Sequence, residues 1–124
     1  NGFELQSALI KRDTARAYRI AFYFSANERN HPIQQILAML FGFFSNLMAV
    51  HYMGARDERS IAAGLKISPY AARDYNLART NYNAAQVFAI IRQLRLLDAY
   101  SKGVDASIPS SELYKELVTR VLDA

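Results

Sequence analysis

The chain has no cysteine. That absence excludes a disulfide framework and any thiolate metal site. Histidine is nearly as scarce. Only His31 and His51 occur, and neither is followed at helical spacing by a second histidine or a carboxylate in a ligand pattern. The five glycines are scattered. None falls in the G-x-x-x-x-G-K-[ST] or G-x-G-x-x-G spacing that lays backbone N–H groups around a phosphate. No serine sits in a nucleophile elbow. The sequence therefore offers no catalytic set, no metal set and no nucleotide-binding loop, and no cofactor is expected.

Prolines are few as well: Pro32, Pro69 and Pro109, each placed where a helix can begin. Strand signals are missing. No stretch alternates apolar and polar residues over six or more positions, and no Asn-Gly or Asp-Gly turn joins two strand-like runs. The opening residues NGFELQSALIKRD lack an apolar run behind basic residues, so no secretory signal is expected. Acidic residues are in mild deficit, with a formal net charge of +4. Such a balance permits an acidic partner such as nucleic acid without demanding one.

What remains is helical periodicity. At 124 residues the chain is long enough for one domain with a real core, burying roughly two thirds of the unfolded chain's surface. The spacing predicts an all-α, compact bundle of about five to seven helices. A first helix is expected over 4–11, with Leu5, Ala8 and Leu9 on one face. Asp13 or Thr14 caps a second, carrying Ala17, Ile20, Ala21 and Phe24. After a polar break, Pro32 opens a long helix to about Tyr52. Ile33, Ile36, Leu37, Leu40, Phe41, Phe44, Leu47 and Met48 form its stripe, while Met39, Phe43 and Val50 add apolar surface on the other side. Gly54 ends it.

That long helix admits two readings. One is a membrane span, which needs about 20 mostly apolar residues. Gln34, Gln35, Ser45 and Asn46 interrupt the run, which favours the other: a central helix buried on most sides, by its own domain or by a neighbour.

Asp57 caps a short helix over 58–65, and the pair Asp57–Glu58 reads as a solvated helix start. Ser68 and Pro69 begin the next. Asn81 to Asn83 break it. A helix over 84–99 buries Val87, Ile90, Ile91, Leu94 and Leu97. A loop is expected over 101–109. Ser110 or Ser111 then caps a last helix with Leu113, Leu117, Val118, Val121 and Leu122 inward.

The stretch AAGLKISPYAARDYNLART has the form of a helix-turn-helix, and an autonomous DNA-binding domain is one reading of it. A tight turn of that kind prefers glycine, and Lys66 stands there instead. In the left-handed region a lysine costs about 1 kcal/mol or more. The helix after it leaves little continuous polar face. Tyr70, Tyr75 and Tyr82, interleaved with Arg73 and Arg79, can stack on bases or pack ring-in with the hydroxyl outward.

The order of pieces resembles the C-terminal domain of the delta subunit of bacterial DNA polymerase III. The matching segments are FELQSALIKRD, NERNHPIQQILAMLFGFFSNLMAVHY, SIAAGLKISPYAARDYNLARTNYNAAQVFAIIRQLRLLDAYSKGV and SSELYKELVTRVL. Two departures stand out. Lys66 occupies a position usually glycine, and Tyr100-Ser101 precede Lys102-Gly103 where the family has leucine before the lysine.

The resemblance implies a collar domain of the clamp loader: residues 1–14 as the end of a preceding linker or helix, and 15–124 as the helical oligomerisation domain. It implies a non-catalytic piece of a polymerase holoenzyme, located in the cytoplasm and not in a membrane. Its partners would be the gamma/tau and delta-prime type subunits. The sliding clamp would be gripped through an N-terminal domain, and primed DNA would be met indirectly. On that reading Phe43, Met39, Val50 and Phe88 are the candidate subunit interface, and Lys102 and Tyr100 are candidate DNA contacts.

Overall fold

The computed structural model describes residues 1–104 and 107–124. Among them the fold is all-α. Its helices are α1 (Gly2–Ile10), α2 (Thr14–Ala26), α3 (Ile33–Met53), α4 (Glu58–Leu65), α5 (Pro69–Asn81), α6 (Ala84–Ser101) and α7 (Leu113–Leu122), with a 3-10 turn over Ser110–Glu112 before the last.

Side chains that satisfy orphan N–H groups set most helix starts. Asp13 accepts from the Arg16 N–H at 3.2 Å, Asp57 from Ser60 at 2.8 Å and Ser68 from Ala71 at 3.1 Å. The backbone and hydroxyl of Ser60 hold the Asp57 carboxyl below its usual range. At α6 a capping box closes, with Asn83 and Gln86 each accepting the other's backbone N–H at 2.8 Å. Pro32 sits just outside α3 rather than inside it, in extended conformation. The last helix departs from expectation. Neither Ser110 nor Ser111 caps it; both lie in the 3-10 turn, whose chain runs on into α7 without a side-chain cap. Helix α6 runs past Ala99 to Ser101, shortening the expected loop, of which Asp105 and Ala106 lie outside the described residues.

Helix α3 lies at the centre. It packs chiefly on α6 and also touches α1, α4 and α5. Around it α2 packs on α7 and α1, α4 on α5, and α6 on α7. Leu5, Ala8, Leu9 and Ile10 of α1 are buried in the same core as Leu40, Leu47, Val87 and Leu117. Helix α1, within the segment expected as the end of a preceding linker or helix, packs on α2, α3, α5 and α7. By length and composition α3 could cross a membrane. Its Ile36, Leu37, Leu40, Phe43, Phe44, Leu47 and Val50 are instead buried against the other helices.

Two helix ends turn through the left-handed region without glycine: Arg12 at φ 54° and Lys66 at φ 58°. At Arg12 the Asp13 N–H reaches the Ala8 carbonyl at 2.8 Å and the Arg12 N–H reaches Leu9 at 3.1 Å. These are the paired bonds of a Schellman cap. Near Lys66 the Ile67 N–H closes on the Ala62 carbonyl at 3.0 Å. Each turn gives its residue a strained torsion in return for satisfied carbonyls.

Candidate interaction surface

The corner between α4 and α5 is a helix-turn-helix in form. Gly64 lets Met53 lie across α4; a Cβ there would fall 2.5 Å from the methionine sulfur. From α5, Ala72 and Ala78 go inward and Tyr75 is half-buried, while Tyr70, Arg73, Asp74 and Leu77 face solvent. The shallow depression here is lined by Lys11 and Arg73 but also by Glu58 and Asp74. Its charges balance, whereas a surface that follows phosphates carries an excess of cations.

The tyrosines separate by role. Tyr82 is fully buried and donates its hydroxyl to the Leu9 carbonyl. Burial pushes its phenol up to about 12, against the opposing pull of Arg12. Tyr75 stacks on Phe43 at 4.5 Å between ring centres, nearly parallel, and its hydroxyl accepts from Asn46 at 3.1 Å. Both serve packing, as ring-in tyrosines do. Of Tyr70, Tyr75 and Tyr82, Tyr70 is the one free to meet a base, with Arg73 placed 5.7 Å from its ring centre. Arg79 is spent internally, donating to the Arg56 carbonyl at 3.1 Å and to Asn76.

The histidines are structural. His31 stacks on Phe24 at 4.1 Å, and its carbonyl accepts from Tyr114 at 2.8 Å. Burial, reinforced by the charge of Glu28, pushes the Tyr114 phenol well above its usual range. His51 Nε2 lies 2.7 Å from the Tyr82 carbonyl. A carbonyl only accepts, so Nε2 carries the proton. Among the described residues no three His, Asp or Glu side chains cluster as a metal site would require.

Of the four apolar residues expected to face a neighbour, two are core. Phe43 is 5% exposed and Val50 fully buried. Helix α5 supplies the reason, since Tyr75 covers Phe43. Met39 is half-buried and folds over Gly2, where a Cβ would lie 2.8 Å from its methyl. Phe88 alone projects, at 67% exposure. The pair Lys102 and Tyr100 is not brought together. Lys102 bridges Asp98 at 2.8 Å on the α3 side of α6, whereas Arg120 of α7 lies 5.6 Å from the Tyr100 ring centre.

At its C-terminal end α3 exposes Tyr52 and Met53, and up to Asn46 its free surface is a strip of small or polar residues, with Gln34, Gln35, Ala38, Gly42 and Asn46 exposed. Beside it α3 and α6 enclose an open groove of about 450 Å³, lined by Leu37, Ala38, Phe41, Leu94 and Arg95 and closed at one end by Gln34, Asp98 and Lys102. The Arg95 guanidinium lies 5.4 Å from the Phe41 ring centre, within cation–π range. Further along α6, Phe88, Arg92 and Leu96 also face solvent. Arg92, Arg95 and Leu96 escaped sequence reasoning, which sought large apolar residues where the fold instead leaves a small-residue strip bordered by arginines.

Against known proteins, the model of one family matches: the DNA polymerase III delta subunit, C-terminal domain, over residues 1–117. No curated protein and no solved structure matches the chain.

Proposed function

The chain belongs to the family formed by the C-terminal domain of the DNA polymerase III delta subunit, and on that premise we propose that it is a collar domain of a clamp loader. It holds the delta subunit in a ring of helical domains with gamma/tau and delta-prime type subunits. That assembly sets the sliding clamp on primed DNA in the bacterial cytoplasm. The domain has an assembly role; catalysis belongs to the larger polymerase complex.

The observation that carries this reading is the unpaired face of α3 and α6. Phe88 and Leu96 of α6 stand in solvent, and between α6 and α3 lies a groove floored by Leu37, Ala38, Phe41 and Leu94. Phe88 and Leu96 stand outside the core that holds Val87, Ile90, Leu94 and Leu97 of the same helix, and exposed apolar side chains on a helix that also walls an apolar groove suit contact with a neighbour. The interface candidates of this reading are Phe88 and the half-buried Met39, while Phe43, covered by Tyr75, and Val50 lie inside the core. Lys102 and Tyr100 are at most individual DNA contacts, because they face different sides.

The rival reading is an autonomous helix-turn-helix DNA binder, favoured by the form of the α4–α5 corner. The balanced charges of that corner weigh against it.

The test is reconstitution. A delta subunit from which this domain has been deleted should still bind the isolated sliding clamp but should not co-elute with the motor subunits in size-exclusion chromatography. Entry of the deleted subunit into the complex as readily as the intact one refutes the collar role. Tight, steeply salt-dependent duplex binding by the domain alone would favour the rival.

A further inference from the structure

The chemistry of the α3–α6 groove says more than that something covers it. We propose that it receives an acidic amphipathic helix from a neighbouring protein chain of the complex, an inference that rests on the collar reading.

Charge comes first. Arg92 and Arg95 face solvent on α6, three residues apart and so neighbours on one helix face. Among the described residues neither has a carboxylate partner; the ion pairs there involve Asn1–Glu4, Lys102–Asp98 and Arg120–Glu116. Asp98, which lines the groove with Arg95, is already engaged with Lys102 at 2.8 Å. Among the described residues the groove wall therefore carries one uncompensated cation, Arg95, with Arg92 exposed one turn further along α6. Guanidinium groups are weakly hydrated and suited to carboxylates at interfaces.

The floor limits which acidic partner fits. Leu37, Ala38, Phe41 and Leu94 line it, so the occupant must bring apolar side chains as well as charge. A phosphate backbone gains nothing from such a floor. A second copy of this chain, docked by the same face, would set arginine against arginine, an arrangement that disfavours the pairing.

Gly42 supplies the shape. It sits in the middle of α3, where glycine is unfavourable relative to alanine. A Cβ built there meets nothing within 4 Å. Packing inside the domain thus gives no reason for glycine at this position. A helix laid along Ala38, Gly42 and Asn46 does, since a missing side chain lets the two axes come closer.

The experiment places the photo-reactive p-benzoylphenylalanine at position 34, exposed at the end of the groove and away from the close approach at Gly42, in the full delta subunit, reconstituted with purified clamp-loader subunits, sliding clamp and primed DNA. Illumination should link it to a helical segment of another subunit in which Asp or Glu flanks an apolar stripe. The double substitution Arg92→Glu with Arg95→Glu should weaken assembly by about tenfold or more, as opposed like charges do. Exchanging the acids of the linked segment for arginine should restore it. A link only to DNA, a link only to a second copy, or no link in a complex that has assembled overturns the inference and leaves the collar reading standing. Failure of the unaltered subunit to assemble overturns both.

Discussion

The guanidinium of Arg12 lies 4.7 Å from the centre of the Tyr82 ring, and the two residues together tie three helix ends. Arg12 Nη2 donates to the Leu122 carbonyl of α7 at 2.6 Å. Tyr82, just after α5, donates to Leu9 of α1. Beside them Asn81 donates to Ile10 at 2.8 Å. The Leu122 and Ile10 carbonyls at helix C-termini thus accept from a cation and an amide, and Leu9, which already takes the Arg12 N–H, accepts a second bond from Tyr82, an arrangement the helix dipole favours.

Arg12→Ala should destabilise the domain by about 1–3 kcal/mol. The charged hydrogen bond and the cation–π contact are both lost, and the strained torsion at φ 54° remains. Arg12→Lys should recover only part of the loss, because an ammonium has no planar fork. Urea unfolding of the three proteins checks this. A change below about 0.5 kcal/mol for the alanine variant, the range of ordinary surface substitutions, would show the knot to be dispensable.

Tyr82 also predicts an alkaline limit. Burial raises its phenol from 10.0 to about 12 in the folded chain. The folded state then holds the proton more tightly than the unfolded state. Stability is therefore full below about pH 10 and falls as pH rises towards 12, by about 2–3 kcal/mol from this group. Tyr114, raised in the same direction, adds to the fall. In Tyr82→Phe the melting temperature should start lower, for want of the bond to Leu9, but decline less between pH 9 and pH 11.5. An equally steep decline in the variant would remove Tyr82 as a cause.

Lys66→Gly should stabilise the domain by about 0.5–1 kcal/mol, because Lys66 sits at φ 58° and ψ 45°, where glycine carries no Cβ penalty. The gain is reduced by the greater freedom of glycine in the unfolded chain. Lys66→Val should lose stability, since a branched side chain is worse there. Thermal melts of both variants decide it, and a destabilised glycine variant contradicts the argument.

The same turn shows what the sequence makes legible. A lysine at a glycine position could be read as a left-handed residue because Ser68 and Pro69 mark the next helix start so firmly. Asp13, Asp57 and Ser68 announce their helices through local chemistry alone, whereas Asn83, legible only as a break, caps α6. Arg12 had no such mark: its cap closes through backbone bonds, and the side chain that secures it reaches Leu122, 110 positions away in sequence. The apolar surplus of α3 was equally visible, yet not its direction. Helices α1, α4, α5 and α6 pack on α3, so most of its large residues as far as Val50 are covered, and there the open strip is the one with Ala38 and Gly42. Hydrophobic periodicity identifies a helix that needs neighbours without saying which neighbour belongs to the same chain.

Phe43 and Phe88 turn that distinction into a measurement. Phe43 is 5% exposed and sandwiched between Tyr75 and Phe44, with ring centres at 4.5 and 5.5 Å. Phe43→Ala should therefore cost about 3–5 kcal/mol of domain stability, the range for a large core residue leaving a cavity. Any assembly defect it shows should follow from unfolding. Phe88 is 67% exposed, and Phe88→Asp should change stability by no more than about 0.5 kcal/mol. In a reconstituted complex the same Phe88→Asp should weaken assembly, because the carboxylate would be buried without a partner in an apolar contact. Chemical unfolding of the isolated domain and co-elution with the other subunits give the two readouts. A Phe88→Asp subunit that assembles as well as the unaltered one would move the interface off α6. A Phe43→Ala domain that keeps its stability would contradict the packing of α5 over α3.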